Sequence, residues 1–218
     1  MGEELPIAHL GPLVFRTDTF FISLGVTAVL LITAFFATRR LKLVPGGFQS
    51  ILEMLVEFFE KNVQENLGRH NSAGYFYFFT SLFMFLLISN LVGLIPKMTS
   101  PTADVSITAA FAIVSIMLVQ ASNIKVHGFF GWLKHFFQPF WWFLPINLLE
   151  LVTRPLTLAL RLYGNIFAGE VLLKTLNNGY SVILTPTIWL AFSVFIGVLQ
   201  AYIFTALSMA YTGTAMEE

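Results

Sequence analysis

Residues 19–38, TFFISLGVTAVLLITAFFAT, run for 20 positions without a charge. As an α-helix rising 1.5 Å per residue, such a run measures about 30 Å, the thickness of a bilayer's hydrocarbon core. No water there can satisfy exposed peptide groups, so only a helix or a closed barrel can cross it. The run is apolar throughout rather than alternating, which selects the helix. Of the 218 residues, 56% are hydrophobic and only 11% charged, against about a quarter charged in a soluble domain. The chain is therefore an integral membrane protein.

The same composition closes off several functions. Acidic and basic residues are equal at 12 each, so no net charge draws a nucleic acid. The absence of cysteine removes disulfides, thiolate metal sites and a thiol nucleophile. His9, His70, His127 and His135 include no pair at a metal-ligand spacing. No nucleophile–base pair appears either, so neither an enzyme activity nor a cofactor is expected. The first 21 residues begin acidic and lack a basic region and a small-residue cleavage site, so the first apolar run is expected to be retained.

The expected architecture is a single all-α membrane domain over residues 1–218, with spans at about 19–38, 75–95, 105–122, 150–176 and 182–212. The cluster RRLK at Arg39–Lys42 follows the first span and favours the cytoplasmic side, which puts the N-terminus outside. Five crossings then return the C-terminus to the cytoplasm. Between the first two spans, Phe48, Ile51, Leu52, Leu55, Phe59 and Val63 share one helical stripe, with Glu53, Glu57, Glu60 and Gln64 opposite. Residues 48–66 are thus an amphipathic helix, lying in the interface or covered by another subunit. Residues 128–149 are crowded with aromatics and interrupted by Pro139 and Pro145, the pattern of an interfacial segment. Asn90 and Asp104 lie near the hairpin end shared by the second and third spans; Asp104 reads as a helix cap or as a proton relay. No internal repeat supports an inverted-repeat transporter.

The fourth span carries charge where a membrane helix should have none. At 100° per residue, Glu150, Arg154, Thr157, Arg161, Asn165 and Ala168 share one face. Glu150 and Arg154 are opposite charges one turn apart and can neutralise each other near the cytoplasmic interface. Arg161 is about 10 Å of helix deeper than Arg154, and Lys174 lies about 20 Å beyond it. The guanidinium is therefore near mid-membrane, where it costs roughly 2.5–3.5 kcal/mol on insertion scales and snorkels to an interface only with difficulty. No acid stands one turn from it, and Glu170, nine positions on, points half a turn away. A charge partner from another chain is expected, with Glu170 serving a different water-filled space. Gly164, Ala168 and Gly169 allow a neighbouring helix to approach here. In the last span Ser193, Gln200 and Tyr211 share a face, and the Gln200 amide oxygen could hold Arg161 without cancelling its charge.

Together LRLYGNIFAGE (160–170), SPTADVS (100–106) and GVLQAYIFTALSMAY (197–211) resemble subunit a of the bacterial F-type ATP synthases, in span order over nearly the whole chain. The resemblance implies that Arg161 faces a rotating ring of c subunits, each with a membrane carboxylate. It implies that Asn165, Glu170 and Gln200 are polar members of the ion pathway or its lining. It also implies two long helices tilted beside the ring, two offset half-channels, peripheral-stalk b subunits as partners, and residence in the cell inner membrane. Ser193 stands where some relatives carry a histidine, leaving water to carry more of the path beside Glu170. Glu150 stands eleven before Arg161, about one turn nearer than in some relatives. The rival readings are a self-contained channel or secondary transporter using Arg161 for an anionic substrate, and a scaffold subunit with no ion path. Co-purification with an oligomeric ring of small helical hairpins separates all three.

Overall fold

In the computed structural model, residues 7–10, 13–39, 46–68, 72–95, 100–135, 140–176 and 184–217 are described. Six α-helices dominate: α1 (Thr17–Arg39), α2 (Gly47–Leu67), α3 (Ser72–Val92), α4 (Val105–His135), α5 (Leu144–Leu176) and α6 (Leu184–Glu217). Short 3-10 turns at Pro101–Ala103 and Trp141–Phe143 precede α4 and α5. One departure from the all-α expectation lies at the start. Strands β1 (Ile7–Leu10) and β2 (Leu13–Arg16) pair antiparallel, Ile7 opposite Arg16 and Leu10 opposite Leu13. Each strand is only four residues long, too short for alternation to register as a signal beside the long apolar runs.

Four helices contain windows long and apolar enough to cross a bilayer: Thr19–Phe36, Gly74–Val92, Val105–Lys134 and Leu190–Met216. The expected fourth crossing, on α5, is a continuous helix of 33 residues but carries Glu150, Arg154, Arg161, Glu170 and Lys174. Its start also differs from expectation. Pro145 reads as a break in the sequence, yet it occupies the first turn of α5, where its missing N–H has no intrahelical partner to lose. The last helix runs five residues past the expected end at 212, to Glu217.

α4 is broken rather than ended where the third span was expected to stop. Gly128 has φ 73 and ψ 169, a backbone that strains any residue with a Cβ. Beyond it the chain folds back, and Trp132 Nε1 donates to Gln120 Oε1 at 2.7 Å. In an unbroken helix twelve residues would separate these by about 18 Å. The aromatic segment after Gly128 thus doubles back onto α4.

α1 is apolar all round and exposes Phe20, Phe21, Leu24, Leu31 and Phe36 while packing on α3 and the Pro101–Ala103 turn. The core lies elsewhere, among Phe59 and Val63 of α2, Phe79, Phe83 and Leu86 of α3, Leu158 and Leu162 of α5, and Ala201 and Phe204 of α6. The apolar stripe of α2 is covered within this chain at Phe59 and Val63 and in part at Leu52 and Leu55, whereas Ile51 is exposed. Phe59 meets Phe83 of α3 with ring centroids 4.7 Å apart, and Phe58 meets Tyr202 of α6 at 5.9 Å. Further along, any Cβ on Gly213 of α6 would collide with the Asn66 carbonyl oxygen. α2 and α6 therefore run side by side in the same direction, pressed together where glycine permits. Glu53, Glu57 and Glu60 remain exposed on the opposite face.

Cysteines introduced at Glu53 and Glu57 should react fully with an impermeant maleimide from the cytoplasmic side. Cysteines at half-buried Leu52 and buried Phe59 should react poorly. Equal labelling at all four positions contradicts the packing of α2.

Candidate functional site

α5 buries one face and exposes the other. Leu158, Ala159 and Leu162 are buried in the core, whereas Leu156, Leu160, Phe167 and Val171 are exposed large hydrophobics. Arg161 is exposed beside them. Tyr163 and Phe167 stack one turn beyond it, ring centroids 5.3 Å apart. Arg161 forms no hydrogen bond or ion pair with any described residue. The chain thus presents a cation beside an exposed apolar stripe of α5.

The neighbouring arginine is treated in the opposite way. Arg154 pairs with Glu150 at 2.6 Å, and its guanidinium lies 5.2 Å from the ring centroid of Tyr211 on α6. The i,i+4 pair expected from spacing is therefore present, and Tyr211 extends it across the α5–α6 contact through the ring's negative face. One arginine is neutralised within the chain; the other, seven residues on, has no hydrogen bond or ion pair with a described residue.

α6 exposes Phe192, Val194, Phe195, Val198 and Leu199 but turns its polar groups inward. Gln200 is 2% exposed. Ser193 is half-buried, and its Oγ is shielded without a hydrogen-bond partner among the described residues. Asn165 and Glu170 belong to α5, but their side chains lie outside the described residues.

The two polar residues of the α3–α4 hairpin have defined partners. Asp104 Oδ1 accepts from the Ser106 backbone N–H at 2.9 Å, an N-terminal cap of α4. Asn90 is 2% exposed; its Nδ2 donates to the Gly197 carbonyl of α6 at 2.9 Å and its Oδ1 accepts from Thr102 Oγ1 at 2.7 Å. Ser100, Thr102 and Gly197 escaped the sequence reading. Only the polar run SPTAD marked the place, and a contact spanning 107 residues leaves no local pattern. No group of three or more metal-ligating residues occurs among the described residues.

Long apolar helices joined by buried polar contacts define a multi-pass membrane protein. The family model described as ATP synthase A chain matches residues 20–213, and the chain belongs to that family. It is 38% identical over 211 residues to ATP synthase subunit a of Desulforamulus reducens, covering 93% of this chain and 80% of that protein. The subunit a of Moorella thermoacetica is 39% identical over 210 residues, covering 96% and 94%. That of Enterococcus faecalis is 37% identical over 236 aligned positions, covering 100% and 99%.

The Asp104 cap has a direct check. Asp104→Asn keeps an acceptor for Ser106 and should leave the melting temperature of the purified complex nearly unchanged. Asp104→Ala should cost about 0.5–2 kcal/mol of stability. Proton flux should survive both; loss of flux in a stable Asp104→Asn complex would assign the carboxylate a relay role instead.

Proposed function

We propose that this chain is the stator subunit of the proton-translocating sector of an ATP synthase, passing protons to and from carboxylates on a rotating ring of c subunits. One observation carries the reading: Arg161 is exposed on α5, beside a stripe of exposed large hydrophobics, with no partner among the described residues. A guanidinium in hydrocarbon needs a counter-charge. A carboxylate on a neighbouring chain supplies one without adding permanent charge to the lipid face.

The mechanism follows from the cost of charge. A ring carboxylate must be protonated to face lipid. Opposite Arg161 its ionised form is favoured by about 4 kcal/mol at 4 Å and an effective dielectric near 20, before desolvation is deducted. The carboxylate releases its proton into one half-channel, passes Arg161 ionised, and is reprotonated from the other. The fixed cation also repels protons that would cross directly. A membrane potential contributes about 2.3 kcal/mol per charge per 100 mV to the direction of net flow.

The helix lengths agree with this geometry. α5 and α6 have 33 and 34 residues, about 50 Å each, so both cross a 30 Å core steeply tilted. α5 is then the fourth of five crossings, with the N-terminus outside, the C-terminus cytoplasmic, and the chain in the plasma membrane. Glu170 lines the half-channel open to the outside, with Asn165, Gln200 and Ser193 along the path. Glu150, held by Arg154, stands at the cytoplasmic mouth, and the acidic face of α2 is turned toward water or a peripheral-stalk partner.

Potential-driven proton flux through membrane sectors stripped of their catalytic head tests the reading. Arg161→Ala should abolish coupled synthesis in the intact complex and make the stripped sectors leak. Arg161→Lys keeps the charge but loses the planar fork, so coupling should be largely lost with less leak. Glu170→Gln should slow flux with assembly intact. Tight Arg161→Ala sectors whose intact complex still makes ATP at the parent rate would make the arginine structural.

A further inference from the structure

We propose that Asn90, Thr102 and Ser100 form a buried clamp that fixes the register of α6 against α3, and so positions Gln200 and Ser193 relative to Arg161. The clamp is a continuous hydrogen-bonded chain. Asn90 Nδ2 donates to the Gly197 carbonyl at 2.9 Å, and Thr102 Oγ1 donates to Asn90 Oδ1 at 2.7 Å. The single Ser100 Oγ proton has two acceptors in reach, Thr102 Oγ1 at 2.6 Å, which continues the chain, and the Ser89 carbonyl at 2.9 Å. Asn90, Ser100 and Thr102 are 2%, 1% and 0% exposed.

Two features make this a positioning device. The amide grips the backbone of α6 rather than a side chain, so rotamer changes on α6 cannot absorb a slip. Sliding α6 by one residue moves each group about 1.5 Å and turns it 100°, leaving a buried amide unpaired, which is costly. Gly197 also admits no slack: a Cβ there would stand 3.3 Å from Asn90 Cβ. Gly197 lies one turn after Ser193 and three residues before Gln200, so the gripped carbonyl sits at the level of the proposed path. The Pro101–Ala103 turn packs on α5 as well as α3. One knot therefore references both helices of the transport face to the same point. Both ends of the Asn90 amide are spent on these contacts.

The inference rests on the reading of α5 and α6 as the transport face, so Arg161→Ala is measured alongside; normal pumping there would sink that reading and leave the clamp contacts untouched. In the intact complex, Thr102→Val should lower protons pumped per ATP hydrolysed by about tenfold, the population shift that follows loss of one buried hydrogen bond. Thr102→Ser should restore it to within about twofold, since the donor returns. A redox test separates position from passage. The chain has no cysteine, and the 3.3 Å separation at this contact is close to the Cβ spacing of disulfides, about 3.5–4.5 Å. The double variant Asn90→Cys, Gly197→Cys should pump poorly when reduced and recover when oxidised, because the disulfide replaces the clamp. Pumping at the parent level in Thr102→Val or in the reduced double variant overturns the proposal. So does failure of the disulfide to form, or a disulfide that forms without restoring pumping. If every clamp variant fails to assemble, the knot is a folding element and the proposal falls.

Discussion

An exposed guanidinium with no partner among the described residues is the constraint around which the molecule is arranged. Arg161 could have been neutralised as Arg154 is, by an acid one turn away and an aromatic ring across the helix contact. Leucines flank it instead, and Leu158 and Leu162 hold the adjoining side of α5 in the core. The fold therefore fixes where the charge stands without cancelling it. In the proposed mechanism that difference separates a structural ion pair from a site that can exchange one counter-charge for the next.

Holding a charge in place requires a rigid frame, and here the frame is polar at one level and apolar at another. At the α3–α4 hairpin, Asn90, Ser100 and Thr102 tie α3 to the backbone of α6. Deeper in the core, Phe59, Phe83 and Phe204 fill the space between α2, α3 and α6. Within hydrocarbon the hydrophobic effect gives little reason for helices to associate, so close packing and hydrogen bonds must do it. Gly197 and Gly213 are where backbones approach most closely on α6, one against α3 and one against α2. α1, by contrast, presents large hydrophobics outward along much of its length.

Much of this was legible in the sequence because membranes reduce the choices. The apolar runs predicted α1, α3 and α6 within a few residues, and the stripe from Phe48 to Val63 predicted the burial of Phe59 and Val63 on α2 but not the exposure of Ile51. The charge spacing predicted the Glu150–Arg154 pair. Local signals failed where they had two meanings. Pro145 reads as a break in mid-run but is favourable in a first turn, and Gly128 gives no warning that Trp132 will return to Gln120. The clamp was invisible for a different reason: its members lie at 90, 100, 102 and 197, and only the packing of α3 on α6 brings them together. Asn90 registered as polar and notable; its partner, a main-chain carbonyl, has no sequence signature.

The central claim is that the counter-charge of Arg161 comes from another chain. A structure of the intact complex, resolved well enough to place side chains around α5, tests it most directly. The account predicts a membrane carboxylate of a neighbouring ring subunit as the nearest acidic group to the Arg161 guanidinium, within about 4–6 Å in at least one rotary state. An Arg161 paired instead with Glu150 or Glu170 of its own chain, or turned toward lipid in every state, would contradict it.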